Sequence, residues 1–171
     1  TDLDNDGYSS CDNDCNDTDP FTFPGAAEKE SLVFCMTDRD EDGFGSATPD
    51  EGINAGTDCN DTDPMLNRED ADGDGFTSCE SDRDDTSNQT FPGAAELENN
   101  PTACMADTDK DGYGDAYPLL DDVDAGTDCL DTDNKTFPGS AETDSLISCM
   151  TDADEDGYGD FSPEENVTFG N

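Results

Sequence analysis

The sequence has no histidine and no tryptophan, and only six of its 171 residues are lysine or arginine. Leu, Ile, Val and Phe together number 22 of the 171 residues. This fraction is below the roughly 20% under which a highly charged chain is expected to be disordered. The bare chain therefore has too little apolar surface to fold by hydrophobic burial alone. The scarcity of Lys and Arg excludes ordinary nucleic-acid binding, which needs them for phosphate contacts. No membrane span is visible.

Acidic residues are what the chain has in excess. Asp and Glu number 47, and the formal net charge is -41. Self-repulsion at this charge opposes compaction. We therefore expect bound cations to take the place of a hydrophobic core.

Two acidic motifs alternate along the chain. The first is D-x-D-x-D-G followed by Tyr or Phe, and the second is D-C-x-D-T-D. First motifs begin at Asp2, Asp38, Asp70, Asp107 and Asp152, and second motifs begin at Asp14, Asp58, Asp128 and, as a degenerate copy, Asp82. Three second motifs carry a tail, F-P-G-[AS]-A-E, whose glutamate lies 14 residues after the first Asp of the motif. This fixed spacing disfavours the alternative of a solvated acidic linker.

The motifs are arranged in a longer repeat. The first motif, the Pro-Gly turn and the Cys-Met pair recur at offsets of 68 or 69 residues. We predict a first unit at residues 1–68, a second at 69–137 and a partial third at 138–171.

The first motif is the opening half of an EF-hand loop. Alternate aspartates turn their oxygens toward one point, the glycine permits the sharp turn, and the aromatic residue offers its carbonyl. The predicted ligands of the five copies, in chain order, are Asp2, Asp4, Asp6 and Tyr8; Asp38, Asp40, Asp42 and Phe44; Asp70, Asp72, Asp74 and Phe76; Asp107, Asp109, Asp111 and Tyr113; and Asp152, Asp154, Asp156 and Tyr158. The flanking helices and the twelfth-position Glu of an EF-hand are missing, but the thirteenth position is acidic in four copies: Asp14, Asp50, Asp82 and Glu164.

The second motif predicts further ligands, with the tail glutamate closing a cage across the Pro-Gly turn. These ligands are Asp14, Asp17, Asp19 and Glu28; Asp58, Asp61, Asp63 and, in the copy without a tail, Glu69; Asp82, Asp85 and Glu96; and Asp128, Asp131, Asp133 and Glu142. An alternative for the tail is a turn that caps a short helix, with Glu favourable near its N-terminus.

Calcium fits these sites better than other metals. It takes about 6 to 8 oxygens in flexible geometry, whereas magnesium requires a stricter octahedron. Copper and zinc prefer imidazole or thiolate. Five first motifs and four second motifs predict about nine or more Ca²⁺ ions.

The eight cysteines suggest disulfides and an oxidising compartment. No C-x-x-C pair is present to favour a zinc or iron-sulfur site. Three intervals of 20 residues predict three disulfides, Cys15–Cys35, Cys59–Cys79 and Cys129–Cys149. Cys104 would pair with the position that Arg83 occupies. Cys104 and Cys11 are left to pair with each other, stay free or bridge to neighbouring chains.

The alternation of D-x-D-x-D-G-[YF] with D-C-x-D-x-D-x-x-x-x-P-G-A-x-E resembles the metal-binding motif of MopE-like bacterial surface proteins and is similar to thrombospondin type 3 calcium repeats. The resemblance spans essentially the whole chain. It implies a secreted or surface-exposed chain with little regular secondary structure, wrapped around many calcium ions and braced by disulfides. The copper chemistry of MopE-like proteins does not carry over, because this chain lacks His and Trp.

We therefore expect an irregular, calcium-stapled and disulfide-braced array of tandem loop repeats, elongated like a solenoid. The expected role is an extracellular structural one, as a rigid stalk, matrix component or filament subunit joined head to tail. Alternatives are an acidic calcium buffer, a mineral-nucleating protein or the calcium-dependent adhesin segment of a larger surface protein. Catalysis is not expected, because nothing singles out one carboxylate pair for acid-base work.

Overall fold

The computed structural model of the protein describes residues 1–160. Most of this chain is irregular, as expected from its composition. The regular elements are three two-stranded antiparallel sheets and one short 3-10 turn at Ser78–Glu80. The strands are β1 (Thr22–Pro24), β2 (Cys35–Thr37), β3 (Thr90–Pro92), β4 (Cys104–Ala106), β5 (Thr136–Pro138) and β6 (Cys149–Thr151).

Each sheet is a hairpin that joins the tail of a second motif to the start of the next first motif. In β1–β2, Thr22 pairs with Thr37, Phe23 with Met36 and Pro24 with Cys35. Thr and Phe favour strands, and Pro ends each tail strand because it has no N–H to donate to a ladder. The hydroxyls of Thr22 and Thr37 lie 2.8 Å apart across the buried pair. Three residues per strand are too few for independent stability, so other contacts must hold each hairpin.

A small apolar plug lies under each hairpin. Under β1–β2, Ala27 and Met36 are buried, and both pack against Gly45 of the following first motif. The corresponding plugs contain Ala95 and Met105, and Ala141 and Met150. No larger core of buried apolar side chains is found in the part of the chain that the structure describes. Burial of apolar side chains is therefore confined to small separate clusters under the hairpins, as the scarcity of Leu, Ile and Val predicts.

Aromatic pairs connect a first motif to the hairpin that follows it. Tyr8 stacks on Phe23 with ring centroids 5.3 Å apart. The same pairing recurs between Phe76 and Phe91 at 5.5 Å and between Tyr113 and Phe137 at 5.2 Å. Phe44 precedes the copy without a tail, and there the Lys29 ammonium lies 4.8 Å from its ring centroid instead. The aromatic residue of each of the first four loops thus contacts a side chain of a neighbouring hairpin.

The three predicted disulfides are confirmed. Cys15–Cys35, Cys59–Cys79 and Cys129–Cys149 each span 20 residues. Each bridge ties the Cys of a second motif to a position downstream, at β2, at the 3-10 turn or at β6. Cys11 is exposed and Cys104 is buried, and both are free thiols in the described chain.

The chain forms two compact units. One contains Thr1–Glu69 with Thr77–Glu80, and the other contains Asp70–Phe76 with Ser81–Asn171, of which residues 81–160 are described. Each unit holds complete first and second motifs. The boundaries of the sequence repeats, including the partial unit at 138–171, stay a prediction. Within residues 1–160 no helix is long and apolar enough to cross a membrane.

Candidate metal centres

The first motifs fold as preorganised loops. The carboxylate of the leading Asp accepts two backbone N–H groups of its own loop: Asp38 accepts from Glu41 at 2.8 Å and from Gly43 at 3.0 Å. The same pattern occurs at Asp2, Asp70 and Asp107, and at Asp152 the donors are Asp156 and Gly157. The third Asp accepts the N–H of the aromatic residue in every copy. The alternating aspartates therefore fix the backbone locally, as Asx turns do.

Two positions of every loop have positive φ. The repeated motif places glycine at one of them, for example Gly43 with φ 93°. The other lies between the second and third aspartates and is occupied by Asn5, Glu41, Gly73, Lys110 or Glu155. Gly and Asn adopt positive φ with little energetic penalty, whereas positive φ is unfavourable for Glu and Lys. The loop conformation is imposed even where the residue does not favour it.

The loop oxygens converge. One oxygen from each of Asp2, Asp4 and Asp6 lies within 4.8 Å of the others. The same holds for Asp38, Asp40 and Asp42. Oxygens on opposite sides of a calcium ion are roughly 5 Å apart, because each Ca–O bond is about 2.3–2.6 Å long. The loop geometry therefore fits a shared calcium ion.

A second motif completes each of the first four loops. Asp58 is only 1% exposed, and the carboxylates of Asp40, Asp42 and Asp61 repel it. Equivalent interactions join Asp14 to Asp6, Asp82 to Asp72 and Asp74, and Asp128 to Asp109. We call these composite groups cluster 1 (Asp2, Asp4, Asp6, Asp14, Asp17), cluster 2 (Asp38, Asp40, Asp42, Asp58, Asp61), cluster 3 (Asp70, Asp72, Asp74, Asp82, Asp85) and cluster 4 (Asp107, Asp109, Asp111, Asp128, Asp131).

Buried carboxylate oxygens without a partner mark every cluster. Among the described residues, eleven buried Oδ2 atoms accept no hydrogen bond, and they belong to Asp4, Asp6, Asp14, Asp40, Asp42, Asp58, Asp72, Asp74, Asp82, Asp109 and Asp111. They come from the second and third Asp of the loops and from the first Asp of the second motif. Three of these side chains, Asp14, Asp58 and Asp82, are more than nine-tenths buried. A buried carboxylate oxygen without a hydrogen-bond donor is unfavourable, so these oxygens are candidate ligands for a cation.

The fourth residue of the second motif ties the two motifs together. Asp61 accepts the backbone N–H of Arg39 at 2.9 Å, just after the leading Asp of the loop. Asp17 and Asp85 accept the corresponding N–H groups of Leu3 and Ala71. Cluster 4 differs, because Asp115 accepts the N–H of Thr108 at 3.0 Å and Asp131 bonds Ala116.

Asp115 was not predicted from the sequence as a site residue. It is 8% exposed, and its charge acts on Asp107, Asp109 and Asp131 of cluster 4. The equivalent residue in cluster 2 is Ser46, which forms the same parallel bridge to the second motif. The same position is serine in three copies and acidic only here and at Asp160 of the fifth copy, so it lies outside the repeated acidic pattern.

The electrostatics agree with mutual crowding of carboxylates. Burial raises the pKa of Asp58, Asp82 and Asp128 to about 6, with neighbouring aspartates adding to the shift. Burial and the charges of Asp109 and Asp128 raise the pKa of Asp111 to about 7. A bound divalent cation would favour the ionised forms and lower these pKa values.

The tail glutamates lie beside the next first motif along the chain. The carboxyl carbon of Glu28 is 3.4 Å from the Cβ position of Gly43, and Glu96 and Glu142 take the same place beside Gly112 and Gly157. Glu28 and Asp38 line one cavity of about 430 Å³. Closure of the second-motif cage by these glutamates stays a prediction.

The remaining predicted residues have mixed surroundings. Asp19 accepts hydrogen bonds from Thr22 and Arg39, and Glu69 forms an ion pair with Lys29 at 2.7 Å. Asp63 and Asp133 each accept a backbone N–H two residues on, and Asp50 is exposed. Asp154 and Asp156 of the fifth loop are exposed, because no second motif packs on that loop in the described residues. Glu164 lies outside the described residues.

Comparison of the chain with protein-family models, curated proteins and solved structures finds no match in any of the three. The assignment of these centres therefore depends on their own chemistry and on the motif resemblance.

Proposed function

We propose that the protein is an extracellular calcium-binding repeat protein whose fold is held by its acidic clusters and disulfides. The observation that supports this most directly is the set of eleven buried carboxylate oxygens without a hydrogen-bond donor. They occur at equivalent positions of four clusters, so they are a repeated feature of the fold rather than an isolated defect. Similarity of the motifs to MopE-like and thrombospondin type 3 repeats supports the same proposal.

The donor set favours calcium over other cations. All the side-chain ligands proposed are carboxylates, which suit hard cations. The sulfurs next to Asp14, Asp58 and Asp128 belong to disulfides, so they are poor ligands for zinc or copper. Each cluster combines two motifs and has five aspartates, whose negative charge is enough to balance two calcium ions. Two ions in each of four clusters and one at the fifth loop would give nine.

In the proposed role, calcium takes the place of the missing core. An ion present at ten times its dissociation constant stabilises the folded state by roughly 1.4 kcal/mol per site. Extracellular calcium modules use dissociation constants of about 10⁻⁴ to 10⁻³ M. Three disulfides are compatible with the same location. We propose an elongated array of calcium loops that acts as a stalk, matrix component or filament subunit, without a catalytic role.

A calcium count on matched variants tests this function. Asp58→Asn removes a buried charge from cluster 2, and Glu51→Gln removes an exposed charge away from the clusters. Equilibrium dialysis of the intact chain should show fewer bound ions for Asp58→Asn and an unchanged number for Glu51→Gln. Equal calcium counts in the two variants, or weak binding in proportion to net charge, would favour the acidic buffer instead.

A further inference from the structure

The four clusters fall into two structural classes. In clusters 2 and 4 the first-motif loop is covered by the preceding hairpin, and in clusters 1 and 3 it is open. Lys29 donates its N–H to the carbonyl of Gly43 at 3.0 Å, and Leu97 donates to Gly112 at 2.8 Å. Gly43 and Gly112 are buried, whereas nothing lies within 4 Å of a Cβ placed at Gly7 or Gly75.

The leading aspartates show the same division. Asp38 and Asp107 are 4% and 7% exposed, and their own N–H groups bond the preceding strand segment at Phe21 and Gln89. Asp2 is half-buried and Asp70 is exposed. The covered loops are therefore anchored at both ends before any ion binds.

The second motif is also held more firmly in the covered clusters. Asp58 and Asp128 form parallel bridges with Ser46 and Asp115. Behind these bridges, a Cβ at Gly56 or Gly126 would lie 2.1 Å from a carbonyl oxygen of the loop, so only glycine fits. Asp14 is reached by a shorter linker and keeps 9% exposure, against 1% for Asp58 and Asp128.

The choice of residue at the second positive-φ position agrees with this division. The open loops have Asn5 and Gly73, which adopt positive φ readily, and the covered loops have Glu41 and Lys110, which do not. A strained residue persists only where surrounding structure over-determines the backbone. The cover supplies that constraint in clusters 2 and 4.

We propose that clusters 2 and 4 are preformed, tight calcium sites and that clusters 1 and 3 are weaker sites that become ordered on binding. This inference rests on the proposed calcium function and adds an order of loading to it. A covered loop loses less conformational freedom when the ion binds, and its buried carboxylates gain more from a cation than exposed ones do. Because each compact unit contains one cluster of each class, each unit loads in two stages. The open clusters then respond to changes in external calcium.

Tyrosine placement allows the two classes to be read separately. Tyr8 belongs to open cluster 1 and Tyr113 to covered cluster 4, whereas clusters 2 and 3 have Phe at this position. Two full-length reporter chains would each keep one of these tyrosines and carry Tyr→Phe at the other three. Sensitised Tb³⁺ luminescence then reports one cluster per chain, since Tb³⁺ occupies calcium sites and is excited by a nearby tyrosine.

The Tyr113 chain should reach half-saturation at a roughly tenfold lower Tb³⁺ concentration than the Tyr8 chain, the effect expected from ordering about one residue fewer on binding. Coincident midpoints, or earlier filling of the Tyr8 site, would overturn the two-class proposal while leaving calcium binding intact. Absence of sensitised emission from both chains would instead refute the proposed metal sites.

The role of the cover is tested by a matched pair of variants. Leu97→Pro removes the N–H that bonds Gly112, and Leu97→Ala keeps it. In the Tyr113 chain, Leu97→Pro should raise the Tb³⁺ midpoint severalfold and Leu97→Ala should not. The same Leu97→Pro change in the Tyr8 chain should leave the cluster 1 midpoint unchanged, which separates loss of cover from global unfolding. Equal midpoints for the Pro and Ala variants of the Tyr113 chain would overturn the role of the cover.

Discussion

A fourth disulfide can be restored at the position of Arg83. The backbone N of Arg83 lies 3.3 Å from the Cys104 sulfur, and Cys104 begins β4 as Cys35 and Cys149 begin β2 and β6. The substitution Arg83→Cys should therefore form an unforced bridge with Cα atoms near the 5.8–6.3 Å of the native pairs. Cys104 is buried and already oriented toward this site.

The stabilisation expected from this bridge is about 3 kcal/mol, the chain-entropy value for a loop of about 20 residues. Loss of the exposed Arg83–Asp124 ion pair subtracts at most about 1 kcal/mol. Urea unfolding in saturating calcium should thus show a net gain of about 2 kcal/mol for Arg83→Cys over the parent. Arg83→Ser, which removes the same ion pair and cannot form the bridge, is the control and should show no gain. A free thiol count of three in the oxidised variant would refute the shared register of the hairpins.

Three further outcomes follow from the same structure. Because burial raises the pKa of Asp111 and other cluster aspartates above their unfolded value, protonation stabilises the metal-free fold below pH 4, and this stability is lost as pH rises through about 6 to 7. In chelator, the radius of gyration should therefore be smallest near pH 4 and should increase as the pH rises to about 7; a radius that stays constant or decreases over this range would contradict the crowding of carboxylates. Glu41→Gly should raise the free energy of unfolding of the calcium-loaded chain by about 0.5–1 kcal/mol, because glycine adopts positive φ without strain. Asn5→Gly is the control and should change this free energy little. Equal effects of the two substitutions would show that Glu41 is not strained. Phe137→Ala should lower the free energy of unfolding by at least about 1 kcal/mol, because it removes the ring stacked on Tyr113. Phe34 is exposed, and Phe34→Ala should lower it much less, both measured by urea unfolding. Equal losses would show that the stack does not contribute to stability.

Local patterns were enough to predict the loops and the disulfides. The D-x-D-x-D-G spacing dictates a turn in which side chains cap their own backbone, so its geometry is contained in a few residues. The constant 20-residue interval between cysteines gave the three bridges because each interval spans the same loop-and-connection length. The scarcity of Leu, Ile and Val was sufficient to predict an irregular fold with only satellite packing.

Contacts between motifs could not be predicted in the same way. The link between the third Asp of a loop and the next second motif is short before Asp14 and long before Asp58, so no single spacing shows that both complete a cluster. The Ala-Gly-Thr segments before Asp58 and Asp128 were the available signal, because Gly56 and Gly126 permit the close backbone approach. The position of Glu28 beside Gly43 likewise depends on how the hairpin folds back, which local pattern does not determine.

The proposed role of calcium is to take the place of a hydrophobic core. Its most direct test is small-angle scattering of the metal-stripped chain during calcium titration, with bound calcium counted on the same samples. We expect a metal-free chain that is expanded outside the covered loops of clusters 2 and 4, and a decrease of the radius of gyration as several ions bind per molecule. A chain that stays expanded at millimolar calcium, or that is equally compact before any ion binds, would contradict it.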